Sequence, residues 1–179
     1  MSVSNLFSVA TLLGGFGLGQ AQDPEAEKKA IAQLKEWGVL VLEIAQNDNR
    51  LDVSYITAQT KIGNDQLAPL KDLMRLAQLN LRGQEITDDG VVHIANQKTL
   101  VKLHLEKTKI TDKALEVVKG LENLEYLNLF GTEIGDAGLA HLEGLKKLKS
   151  LYLWMTKVTD AGVAKLQAAL PMCKINRGT

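Results

Sequence analysis

Apolar residues recur along most of this chain with a period of 24 residues. Five apolar columns share that period, and no insertion or deletion interrupts them, which is the signature of a repeat architecture. The columns are Leu76, Leu100, Leu124 and Leu148; Leu79, Leu103, Leu127 and Leu151; Leu81, Leu105, Leu129 and Leu153; Ile62, Ile86, Ile110, Ile134 and Val158; and Leu67, Val91, Leu115, Leu139 and Val163. The chain is therefore expected to fold as a solenoid of stacked, near-identical units.

Each unit combines two hydrophobic spacings. The Leu-x-Leu segment alternates with period two, which predicts a short strand. Later apolar residues are three apart, as in Leu139, Leu142 and Leu145, which predicts a short helix. An aspartate precedes each helical stretch, and we expect it to cap the first turn of the helix in its own unit. These aspartates are Asp88, Asp112, Asp136 and Asp160.

The units resemble leucine-rich repeats of a bacterial subtype, with the pattern L-x-x-L-x-L-x-x-T-x-[IV]-T-D-x-G-L-x-x-L. Residues 124–145 and 148–163 match that pattern best, and the closing stretch resembles the terminal repeat of secreted proteins from planctomycete-like bacteria. The resemblance implies a right-handed α/β solenoid with a parallel β-sheet on its concave face and short helices on its convex face. It also implies binding of a protein or another ligand, and no shared reaction.

Three structural regions follow the amino-terminal segment in this interpretation. Residues 22–51 form a capping helix and strand, residues 52–171 form five 24-residue repeats, and residues 172–179 form a carboxy-terminal cap. Asp23-Pro24 is a typical helix start, and Gly38 is suited to ending that helix. Cys173 falls in the cap, where we expect a buried structural role for its thiol.

Residues 1–21 are expected to form a cleaved signal peptide. An apolar run of about 13 residues is too short to span a bilayer, and small residues flank a cleavage point after Ala21. The segment has no Lys or Arg, so a mis-assigned start codon or a poorly ordered tail is the alternative. Cleavage would make the protein periplasmic or secreted, with no stable membrane insertion; without a functional signal it would be cytoplasmic.

The composition narrows the range of functions. The 21 Lys and Arg equal the 21 Asp and Glu in number, which argues against nucleic acid as a partner. One cysteine and three histidines leave little material for a metal site or acid–base chemistry. We therefore expect no cofactor, no bound metal and no enzymatic activity.

The concave face is expected to carry the binding site, because its side chains alternate with the buried leucines. Although only 4% of the residues are aromatic, four of them fall on this face in the last two units: Tyr126, Phe130, Tyr152 and Trp154. Such residues are typical of binding hot spots. They are equally compatible with a role in covering the end of the sheet.

A polar group is predicted beside the aromatic residues, with the members Arg82, Lys102, His104, Glu106 and Asn128. His104 and Glu106 are two residues apart and should share the exposed face, where an acid–base role is a minor alternative. The main hypothesis is a non-catalytic scaffold that binds a protein, or a glycan, through this face. A structural spacer of the cell envelope and a host-directed or cytoplasmic adaptor are the alternatives.

Overall fold

The computed structural model describes residues 23–59 and 61–178. They form one seven-stranded sheet in the order β1 to β7, backed by helical segments. The strands are β1 (Leu40–Ala45), β2 (Asp48–Ser54), β3 (Leu76–Asn80), β4 (Lys102–His104), β5 (Tyr126–Asn128), β6 (Ser150–Tyr152) and β7 (Lys174–Asn176). The α-helices are α1 (Pro24–Glu36), α2 (Asp88–Val91), α3 (Asp112–Val118), α4 (Asp136–Leu139) and α5 (Asp160–Ala169). The predicted signal segment lies outside the described residues.

The apolar columns form one continuous core between the sheet and the helical side, as the period predicted. Leu79, Leu103, Leu127 and Leu151 are all at most 1% exposed. The five parallel pairings from β2 to β7 keep these leucines in register, so each repeat buries the edge of its neighbour. The strands and the α/β solenoid are confirmed.

The helical segments are less regular than expected. The first repeat has a 3₁₀ helix (Asn64–Asp72) that contains Pro69, while α2 and α4 are single turns followed by 3₁₀ segments. Proline removes a backbone donor, and a 3₁₀ helix closes a turn in fewer residues than an α-helix. Gln97 stands where the next two repeats have Leu121 and Leu145; its side chain is buried and donates to the Leu70 carbonyl at 2.6 Å.

The amino-terminal cap is a helix followed by an antiparallel hairpin. Asp23 accepts from the Glu25 amide at 2.9 Å, and Gly38 adopts a positive φ of 75° just after the helix, as its position predicted. Strand β1 pairs antiparallel with β2 and so ends the parallel order of the sheet. The 24-residue period predicts that Ser54 and Gln78 are neighbours on the sheet, and this prediction is wrong: Gln78 pairs with Asp52, so the first repeat is offset by two residues, with a register shift between Leu51 and Asp52.

The aspartate that begins each helix does not cap its own helix. It occupies the first helical position, and the preceding residue is the N-cap, a threonine in α2, α3 and α5 and Gly135 in α4. Thr159, for example, accepts from the Gly162 amide at 3.3 Å. Three of the four aspartates reach instead to the next repeat: Asp88 accepts from the Thr111 amide and hydroxyl, both at 2.7 Å, Asp136 accepts from Thr159 in the same way, and Asp112 accepts from the next N-cap amide at 2.7 Å. The predicted role within a single unit is therefore wrong.

Side-chain oxygens of the preceding repeat explain the glycines two residues into three of the helices. A Cβ on Gly90 would lie 2.6 Å from the Asn64 side-chain oxygen, and a Cβ on Gly138 or Gly162 would collide with the aspartate of the preceding repeat. The close approach of neighbouring repeats therefore leaves no room for a side chain at these three positions.

Gly135 is the N-cap of α4, the position at which α2, α3 and α5 have a threonine, and replacing it should stabilise the protein. It donates its amide to Asp112 at 2.7 Å but has no hydroxyl for the second oxygen, and its extended backbone (φ −119°) suits any residue. Gly135→Thr should raise the free energy of unfolding by about 1 kcal/mol, because it adds a hydrogen bond and restricts the unfolded chain. Urea denaturation measures this change. Gly135→Val is the control, and a gain no larger for threonine than for valine would exclude the hydrogen bond.

Candidate functional site

The open face of the sheet is the side turned away from the helices, and it corresponds to the predicted concave face. Strand alternation and pairing place two columns of side chains on it. The first column is Asp52, Gln78, Lys102, Tyr126, Ser150 and Lys174, and the second is Ser54, Asn80, His104, Asn128, Tyr152 and Asn176. Arg82, Glu106, Phe130 and Trp154 follow where the strands end.

Three rings form a ladder across three neighbouring strands. The His104 and Tyr126 ring centroids are 4.8 Å apart, and those of Tyr126 and Tyr152 are 5.4 Å apart. The rings are tilted by 36° and 42° to one another, which is a favourable arrangement for aromatic pairs. Burial raises the pKa of the Tyr126 hydroxyl, which accepts a hydrogen bond from the Asn128 amide at 3.3 Å. We call His104, Tyr126 and Tyr152 the aromatic ladder.

Glu106 departs from its predicted exposure. It is only 6% exposed, and its Oε1 lies 2.8 Å from His104 Nδ1. Its Oε2 is buried and has no hydrogen-bond partner within the described parts of the chain. Glu106 therefore belongs beneath the surface, where it orients the His104 ring against Tyr126, and a partner on the open face would meet the imidazole first.

Trp154 and Phe130 lie at the ends of their strands. Trp154 is 47% exposed, donates its indole N–H to Asn176 at 2.6 Å and packs against Gly178. These contacts fasten the last strand to the preceding repeat, as the capping interpretation requires. The Lys107 ammonium lies 5.6 Å from the Phe130 ring centre, within range of a cation–π contact.

Asn128 also has a local structural role. Its side-chain oxygen accepts from the Phe130 amide at 3.1 Å, and Asn80 accepts from the Arg82 amide at the same distance. Each asparagine thus turns the chain out of its strand. The structure brings the nine predicted site residues to one side of the sheet, with the carboxyl group of Glu106 shielded.

The turn after each strand holds a feature that the sequence reasoning missed. One residue in each of the last four repeats has a positive φ there, and two of the four are not glycine: Gly83, Lys107, Gly131 and Met155. Lys107 and Met155 carry exposed side chains there in a conformation that favours glycine. The 24-residue spacing of these four positions was the available signal.

Two outer strands extend the open face beyond the predicted residues. Leu40 and Leu42 of β1 are 44% and 52% exposed, and Lys174 of β7 is also exposed. Lys174 is 24 residues after Ser150, so the period alone could have placed it on this face. At the other end of the sheet, Asp52 on β2 is paired with Leu42. Burial raises the pKa of the Asp52 carboxyl, although the charges of His104 and Lys102 oppose that shift.

Metal ligands, the cysteine thiol and membrane-spanning helices are other features through which the described residues could carry a function. Within the described ranges, no group of three or more His, Cys, Asp or Glu side chains is placed to hold a metal ion. Cys173 is 4% exposed, and burial raises the pKa of its thiol to about 11. The thiol is therefore protonated at neutral pH, in agreement with a structural role. No helix in the described part of the chain is long and apolar enough to cross a membrane.

The motif, the sheet and the stacked core define the class: this chain is a leucine-rich repeat protein. A family model described as leucine-rich repeat matches residues 120–142, which span the end of one unit and most of the next. A comparison with curated proteins found no match.

Solved structures similar to this chain include two internalins of Listeria monocytogenes and a leucine-rich repeat protein of Leptospira interrogans. Internalin C2 is 27% identical with a TM-score of 0.49, over 61% of this chain and 54% of that one. The internalin inlF is 22% identical with a TM-score of 0.45, over 63% of this chain and 37% of that one. The Leptospira protein is 21% identical with a TM-score of 0.43, over 63% of this chain and 33% of that one. This chain thus spans about half the length of the first structure.

Proposed function

We propose that this protein is a non-catalytic scaffold that binds a protein partner through the open face of its sheet. The observation that carries the proposal is the aromatic ladder, which lies on a sheet face that none of the helices within residues 23–59 and 61–178 covers. Aromatic side chains bury a large area at a low cost in conformational entropy, and they dominate the energetics of many interfaces. The leucine-rich repeat fold commonly serves as a protein-interaction scaffold.

We further propose that binding takes place in the periplasm or outside the cell. The support is the sequence of residues 1–21, with its short apolar run and its small residues before the expected cleavage point. A leucine-rich repeat scaffold in the envelope or the medium would meet partners on other surface molecules.

Loss of the two tyrosines should remove binding without disturbing the fold. Tyr126→Ser and Tyr152→Asn introduce residue types that the same columns already contain at Ser150 and Asn128. Chemical crosslinking to the intact chain, followed by capture from envelope and medium fractions, is the measurement. A specific partner should be captured by the original chain and lost by the double variant.

Val92→Ser is the matched control, because Val92 is 53% exposed and lies on the helical side of the repeat. It should capture the same partner as the original chain. Circular dichroism establishes that every variant is folded before it is used. Equal capture by all three proteins would overturn the proposal and favour the spacer function, in which the aromatic residues only complete the end of the sheet.

A further inference from the structure

The exposed charges of the open face are mainly positive. Lys102, Lys174 and Arg82 are exposed there, and none of them forms an ion pair with another residue of the described ranges. The two acids of this face are less accessible, since Asp52 is half-buried and Glu106 is buried against His104. The face therefore presents an excess of cationic groups to solvent.

Basic residues away from this face are often neutralised by a neighbouring repeat. Lys149 lies 2.7 Å from Glu125, Lys61 lies 2.8 Å from Glu85, and Arg177 pairs with Asp160. Since the whole chain has a formal net charge of zero, the positive face is a local asymmetry and not the result of an overall basic composition. Local charge of one sign selects partners of the opposite sign and accelerates their association.

Two of the lysines bracket the aromatic ladder in one column of the sheet. Lys102 lies on β4 and Lys174 on β7, with Tyr126 and Ser150 between them. Three inter-strand steps separate the lysine backbones by about 14 Å. An extended peptide that crosses the strands covers this distance in about four residues.

The far end of this path is a shallow depression of about 540 Å³. Its lining includes Tyr152, Trp154 and Lys174, so an aromatic surface and a free ammonium group meet at one point. That combination accepts a carboxylate beside an apolar or aromatic residue.

The aromatic ladder favours a peptide over a sugar. A sugar ring stacks on the free face of an aromatic ring, but Tyr126 has His104 on one side and Tyr152 on the other. A peptide needs no free ring face, because its side chains can pack along the ladder while its carboxylates meet the lysines.

We propose that the open face recognises an acidic segment of a partner protein, in which two carboxylates about four residues apart meet Lys102 and Lys174 on either side of the tyrosines. This inference rests on the proposed function and adds the chemistry of the partner. The ammonium groups supply attraction and register, and the tyrosines supply most of the buried area.

Selection from a displayed library of random peptides tests the inference with a defined probe. Peptides of roughly twelve residues are long enough to cross the whole face. The intact chain should enrich peptides with Asp or Glu at a spacing of about four, and raising the salt concentration from about 0.05 M to about 0.5 M should weaken their binding. Lys102→Glu with Lys174→Glu should reduce affinity for an enriched peptide by at least about tenfold.

The matched control is Lys28→Glu with Lys113→Glu, which makes the same charge change at exposed positions of α1 and α3. It should alter the affinity for the same peptide by less than about twofold. In a second selection, the Lys102→Glu and Lys174→Glu variant should enrich basic peptides.

The outcomes separate this inference from the proposed function. Enriched peptides that depend on Tyr126 and Tyr152 but show no acidic preference would overturn the inference and leave the binding scaffold intact. Equal weakening by both charge variants would overturn it too, because the effect would then come from net charge. Failure of the intact chain to enrich any peptide would overturn it, and the crosslinking experiment would then decide the proposed function alone.

Discussion

Glu27→Ala is expected to lower the free energy of unfolding by about 3 kcal/mol, because it removes the acceptor that ties helix α1 to the end of the first repeat. Glu27 is 6% exposed, and it accepts from the Met74 amide at 2.9 Å and from the Arg75 guanidinium at 3.3 Å. Loss of these contacts leaves a shielded amide unpaired and loosens the cap over the apolar end of the solenoid. Urea denaturation monitored by circular dichroism measures the change.

Glu25→Ala is the matched control, since Glu25 is an exposed glutamate in the first turn of the same helix. Its cost should be only a few tenths of a kcal/mol, as for an exposed acid at a helix start. Glu27→Gln should fall between the two alanine variants, because an amide oxygen still accepts from Met74 but no longer carries charge for Arg75. Equal losses for Glu25→Ala and Glu27→Ala would show that the buried carboxylate does not hold the cap.

Asp88→Ala is expected to cost about 2 kcal/mol, because two charge-assisted hydrogen bonds to the next repeat disappear together. Asp88 accepts from the amide and the hydroxyl of Thr111, and both distances are 2.7 Å. Since a solenoid is stabilised by its interfaces between neighbouring units, the variant should also broaden the unfolding transition. Urea denaturation gives both quantities, the midpoint and the slope.

The chain contains its own control for this substitution. Asn64 occupies the position of Asp88 one repeat earlier, where it accepts from the Thr87 amide at 3.0 Å and donates to the Thr87 hydroxyl at 2.7 Å. Asp88→Asn should therefore retain most of the stability that Asp88→Ala loses. If asparagine proved as costly as alanine, the hydrogen bonds between repeats could not be the source of the effect.

The repeat, the strands and the core were predictable because each depends on local periodicity. Leu103 and Leu127 are buried because the Leu-x-Leu alternation directs them to the same side of every strand. The 24-residue period then fixes which strands are neighbours, since stacked units have no other regular arrangement. The class of protein could be inferred from the sequence for the same reason.

The placement of the candidate residues on the sheet was predictable, but their contacts with one another were not. Alternation places His104, Glu106 and Tyr126 on one face, yet it does not show that His104 bridges a buried carboxylate and a tyrosine ring. Burial of Glu106 depends on the side chains of several repeats at once. Period two describes one strand and contains no information about how neighbouring side chains fill space.

The sequence by itself determined the solenoid, its repeat length, its buried columns and the face that is open to a partner, because these follow from the spacing of apolar residues. The tertiary structure decided three further features. It paired Asp88, Asp112 and Asp136 with the next repeat, shifted the first repeat by two residues and left Lys102 and Lys174 without an ion-pair partner among the described residues. These features depend on contacts between residues about 24 or more positions apart, which the pattern within one unit does not specify.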